Sequence, residues 1–149
     1  MKGIKIDFIL HWLWAVVFGL LLISGMALMG AKYGWLMNYQ LPLADYLHRT
    51  LAAALVILTL ISIGVEAGRL SKKTPKVMPW LVINKSLLGI FNLAATLLFV
   101  LSGIFLWICI EFSHSTIAFA YVIHDLVTFI SMPVVIWHIY DKAYALPRE

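Results

Sequence analysis

Charge is scarce in this sequence. Asp, Glu, Lys and Arg make up only 12% of its 149 residues, where a soluble domain carries about a quarter. Cysteine is scarcer still: Cys109 stands alone, which excludes an internal disulfide framework and any cysteine pattern for zinc or an iron–sulfur cluster. Within "FLWICI" it reads as a small packing residue. Low-complexity runs are missing as well. What fills the chain is apolar, with 63% hydrophobic residues and a mean hydropathy of +0.97. The expectation is an all-α integral membrane protein, a single domain over residues 1–149.

Long uncharged stretches locate the spans. No residue between Asp7 and Lys32 carries a formal charge, and Arg49–Glu66 and Lys85–Glu111 bracket two more apolar runs. A fourth run is interrupted only by Asp125. Spans are expected over about residues 8–30, 43–67, 86–110 and 116–141, each long enough for the roughly 20 residues a hydrocarbon core requires. The first follows Lys2 and Lys5 as a signal peptide would, but its apolar run is too long for one, so a retained span is expected.

The basic residues set an orientation. Lys2, Lys5, Arg69, Lys72, Lys73, Lys76, Lys85, Lys142 and Arg148 flank the N-terminus, the second connection and the C-terminus, leaving Lys32 and Arg49 opposite. Such a bias places both termini in the cytoplasm, in an inner (cytoplasmic) membrane crossed four times. The net charge of +4 is then accounted for by topology and anionic lipid, and nucleic acid is not needed to explain it.

Against this apolar background the histidines stand out. "YVIHDLVTFISMPVVIWHIYDK" carries His124 and His138 fourteen residues apart. On a helix that spacing returns to within about 40° of the same face and separates the rings by roughly 21 Å along the axis. His11 opens the first span, on the inner side, and His48 opens the second, on the outer side. Two pairs emerge by depth: His11 with His138 inside, His48 with His124 outside. A lone histidine in an apolar helix is more often a packed polar residue than a ligand. Four sorting into two depth-matched pairs point to the axial ligands of two haems, inner and outer.

The fourteen-residue offset recurs. Gly25 lies fourteen beyond His11, Ser62 fourteen beyond His48, and Gly89 and Gly103 share the third span at the same separation. Each helix thereby offers a histidine or a small residue at both depths, as admitting a wide porphyrin plate would require. Close helix packing also favours glycine in membranes. Arg49, beside His48, suits a haem propionate or a snorkelling role equally. Pro133, between the two histidines of the last span, is expected to kink it. His114 in "FSHST" is expected in solvent, and Asp125 sits deeper than a solvated charge should.

"ILHWLWAVVFGLLLISGMAL" and "YLHRTLAAAL", followed by two histidines fourteen apart on a last span, resemble the bacterial di-haem cytochrome b family. That family includes the cytochrome b subunits of nickel–iron hydrogenases, the gamma subunit of respiratory formate dehydrogenase and bacterial cytochrome b561. The resemblance runs from His11 to Tyr140 and implies a four-helix membrane bundle enclosing two b-type haems, paired as the depths indicate. The formate dehydrogenase type also carries a quinone site beside the inner haem. Asn84 and Lys85, in "LVINKSLLGIFNL", fall near the corresponding place, although the fuller asparagine–glutamine pattern of that type is not reproduced.

The expected function is a transmembrane electron-transfer subunit, carrying electrons between a periplasmic-side dehydrogenase, hydrogenase or cytochrome and the quinone pool. Two other readings are open on sequence alone. One is a stand-alone oxidoreductase passing electrons from a small outer species such as superoxide to quinone. The other is a haem-independent membrane anchor for a redox enzyme.

Overall fold

A computed structural model describes residues 6–71 and 87–145. Every regular element among them is helical: α1 Ile6–Leu28, α2 Leu41–Ser71, α3 Leu87–Trp107 and α4 His114–Ala145, with short 3-10 turns at Gly34–Met37 and Cys109–Glu111. All four α-helices are long and apolar enough to cross a membrane. In such a setting the backbone has no water to bond, and a helix satisfies its amides and carbonyls within itself.

The boundaries follow local chemistry. α1 ends as the amides of Met29 and Gly30 bond back three residues, to Met26 and Ala27, and Gly30 takes a left-handed φ of +52°, the usual device for stopping a helix. The following 3-10 turn ends the same way, on Asn38 at φ 50°, ψ 38°. Tyr39, also left-handed, folds back to donate its amide to the Gly34 carbonyl at 2.7 Å. α4 starts at a serine cap, with the Ser113 hydroxyl accepting the Thr116 amide at 3.3 Å.

α2 and α4 extend beyond the expected spans 43–67 and 116–141 at both ends, because helical hydrogen bonding does not stop where hydrocarbon does. α3 stops at Trp107, short of 110, where the chain tightens into its 3-10 turn. α4 runs unbroken through Pro133.

The chain divides into two compact units, Met1–Gly89 and Ile90–Glu149. In the first, α1 and α2 pack against each other as a hairpin. In the second, α3 and α4 meet through side chains, at Ser102 and Phe99 against His124.

Burial is inverted relative to a water-soluble protein. Small residues are buried in each unit, Ala27, Ala44, Ser24 and Ser62 in the first and Ala95, Ala120, Ser102 and Ser131 in the second, so that each helix buries one serine. Leu10, Phe18, Leu21, Leu55 and Val127 are buried as well, but most large apolar side chains face outward, with Phe119 and Trp137 each 68% exposed. Small interior residues let helix backbones approach, and the exposed apolar surface is stable only against lipid or an apolar cofactor.

Candidate functional site

His48 lies two turns into α2, half-buried, with its ring turned onto α1. The reason it fits is Gly25. A Cβ at that position would stand 3.0 Å from His48 Cε1 and 3.4 Å from Nδ1, closer than a side chain normally tolerates. The glycine therefore makes room first for the imidazole, where its spacing alone had implied room for a porphyrin. Ser24, one residue earlier and buried, places its Oγ 3.1 Å from His48 Nδ1.

The second unit repeats the arrangement. His124 of α4 faces α3 at Ser102 and Gly103. Ser102 Oγ is 2.8 Å from His124 Nδ1, and a Cβ on Gly103 would meet His124 Cε1 at 3.8 Å, ordinary contact. Phe99, one turn earlier on α3, stands edge-on to the imidazole with centroids 5.2 Å apart. In both hairpins a Ser-Gly dipeptide of one helix thus receives a histidine of the next. The serines were not singled out by spacing, yet "ISGM" and "LSGI" carried the signal directly beside the two glycines that were.

The remaining two histidines expected as ligands are His11 on α1 and His138 on α4, both half-buried. His11 lies edge-on to Trp12, centroids 6.2 Å apart. Ser62, fourteen residues along α2 from His48, is buried and donates to the Leu58 carbonyl at 2.6 Å. Gly89 lies in the first turn of α3. Midway along α4, seven residues from each histidine, Ser131 is buried with no hydrogen-bond partner for its hydroxyl among the described residues.

Arg49 binds Asp45 one turn back on α2, at 2.9 Å and about half exposed. Its guanidinium is thus partly committed within its own helix. His114 is exposed as the first residue of α4, and Asp125 is half-buried beside His124. Cys109, expected to pack, is exposed because it falls in the 3-10 turn beyond α3. Asn84 and Lys85 lie outside the described residues.

Among the described residues no three of His, Cys, Asp or Glu converge on one point, and the apolar helices offer imidazoles as single donors. That suits haem, whose macrocycle supplies four equatorial ligands and asks the protein for axial ones. The glycine cradle at His48 and the small interior residues fit the same group. Lone Cys109 provides no paired thiols for covalent attachment, which matches the b type.

A family model described as prokaryotic cytochrome b561 matches residues 8–145. No curated protein and no solved structure matches the chain.

Proposed function

The chain belongs to the prokaryotic cytochrome b561 family, and on that premise we propose that it is a transmembrane electron carrier with bis-histidine haem sites at two depths. When bound, b-type haem supplies a reversible one-electron couple. The observation that carries this reading is the repeated seat in the two hairpins, each holding an imidazole against a glycine of the neighbouring helix.

In this reading His48 and His124 ligate the outer haem, and His11 and His138 the inner one, paired by depth in the bilayer. Gly89 admits the plate at the inner level, Gly25 and Gly103 at the outer. Arg49, at the outer end of α2, is the candidate partner of a propionate. Two protein ligands per iron leave no open coordination position, so the chain's task is to hold potentials and spacing rather than to transform a substrate at the metal.

The positive-inside bias supports an inner-membrane protein with both termini in the cytoplasm. A periplasmic-side dehydrogenase, hydrogenase or cytochrome is the proposed donor, and quinone near Asn84 and Lys85 the proposed acceptor. An electron moving inward works against the membrane potential by about 2.3 kcal/mol per 100 mV, so the outer donor must be correspondingly reducing.

The test is a haem count on the purified protein by pyridine haemochrome. We expect two b haems per chain. His11→Ala and His138→Ala should remove one of them, and His48→Ala and His124→Ala the other. A single haem, or loss of both from any one of these changes, overturns the assignment.

A further inference from the structure

We propose that Ser24 and Ser102 are positioning residues that hold His48 and His124 as their Nδ1–H tautomers, so that each imidazole keeps Nε2 for a haem iron. The inference rests on the ligand assignment above and adds what sets the ligands' protonation and direction.

The argument is a count of protons. A serine hydroxyl has one to give. Ser24 Oγ lies 2.9 Å from the Leu20 carbonyl and 3.1 Å from the Leu21 carbonyl. Ser102 Oγ lies 2.6 Å from the Leu98 carbonyl and 3.3 Å from that of Phe99. Carbonyl oxygens only accept. Two oxygens 2.6 Å apart without a proton between them would repel, so the Ser102 proton points back along α3 to Leu98. Ser24 sits between the corresponding two carbonyls of α1, and the nearer, Leu20 at 2.9 Å, takes its proton.

With its proton committed, each hydroxyl turns a lone pair toward the imidazole. The nitrogen that meets it must carry hydrogen: His48 Nδ1 at 3.1 Å and His124 Nδ1 at 2.8 Å. Both serines are buried, at 2% and 4% exposure, so water does not compete for the contact. A neutral imidazole protonated at Nδ1 keeps its free lone pair on Nε2, the atom a metal requires.

The same device occurs once in each hairpin, with the hydroxyl and the glycine adjacent both times. One residue accepts the ring's proton and the next leaves space for the ring. An acceptor on Nδ1–H also makes the imidazole a stronger donor to iron, which favours the ferric state. Removing the hydroxyl should therefore raise the midpoint potential of the outer haem and leave the inner one in place.

The experiment uses the purified, haem-loaded protein and its Ser24→Ala, Ser102→Ala, Ser24→Thr and Ser102→Thr variants. Potentiometric titration of the α-band and low-temperature electron paramagnetic resonance of the ferric state are the readouts. In the alanine variants we expect two haems, an upward shift of one midpoint, a changed largest g-value for the same haem, and about tenfold weaker retention of that haem. If both haems stay loaded with potentials and g-values unmoved, or if the inner haem shifts instead, the inference is overturned. Should an alanine variant lose the outer haem altogether, threonine, which keeps the oxygen, decides. Restored haem supports the inference, and failure to restore it shows that volume rather than the hydroxyl matters. The ligand assignment is judged separately, by the haem counts of the histidine variants, so its failure and the failure of this inference are distinguishable.

Discussion

Gly25 and Gly103 occupy corresponding places in the two hairpins, yet they do not have the same freedom. A methyl group on Gly25 would press on His48 at 3.0 Å, whereas one on Gly103 would rest against His124 at 3.8 Å. Gly25→Ala should therefore displace the His48 ring and disturb the outer haem, seen as a shifted or weakened α-band with helix content by circular dichroism unchanged. Gly103→Ala should leave that band as it was. Equal effects from the two substitutions would show that glycine matters there for general helix packing. The Asp45–Arg49 pair, about half exposed on one helix, adds under about 1 kcal/mol.

Much at this scale was legible only in part. The fourteen-residue spacing brought out the histidines and glycines because both are conspicuous in an apolar helix. Ser24 and Ser102 escaped notice because a serine in a membrane helix can hide its hydroxyl on the carbonyl four residues back, as Ser62 does on Leu58. Spacing along one helix does not reveal that the same oxygen also meets a ring on another.

Among the elements, the connection between α1 and α2 is tightly constrained. A Cβ at Gly34 would lie 2.7 Å from Cδ1 of Tyr39, a residue itself held at a positive φ of 59°. The backbone cannot yield cheaply, since the Tyr39 amide is tied to the Gly34 carbonyl. Gly34→Ala should destabilise the hairpin by about 1–3 kcal/mol, read as a lower midpoint in thermal unfolding in detergent. An unchanged midpoint would mean that the turn rearranges freely. Sequence placed each helix to within a few residues because charged ends and uncharged middles mark the spans. It missed this turn, whose shape depends on Tyr39 reaching back to Gly34, and the Ser113 cap, a polar residue in a stretch read simply as solvated loop.

For the molecule as a whole, the four spans were plain from composition, since lipid selects for greasy surfaces as strictly as water selects against them. Orientation is tested by reporters. A phosphatase active only outside the cytoplasm should be inactive when fused at residue 149 and active when fused after Tyr39 (in the α1–α2 connection); green fluorescent protein should behave the opposite way. The reverse pattern would overturn the proposed topology and, with it, which haem faces the outer donor. The small-residue interior was harder to read from sequence, because alanine and serine carry little weight in a hydropathy profile while deciding which surfaces can meet.

The bond between Ser24 and His48 joins two consecutive helices of one hairpin, as does that between Ser102 and His124. During synthesis, an imidazole that enters hydrocarbon bare must surrender the water on both ring nitrogens, whereas one already hydrogen-bonded to the preceding helix surrenders it on only one. Each hairpin can therefore leave the translocon as a pair, with part of the hydrogen bonding of His48 or His124 already provided internally.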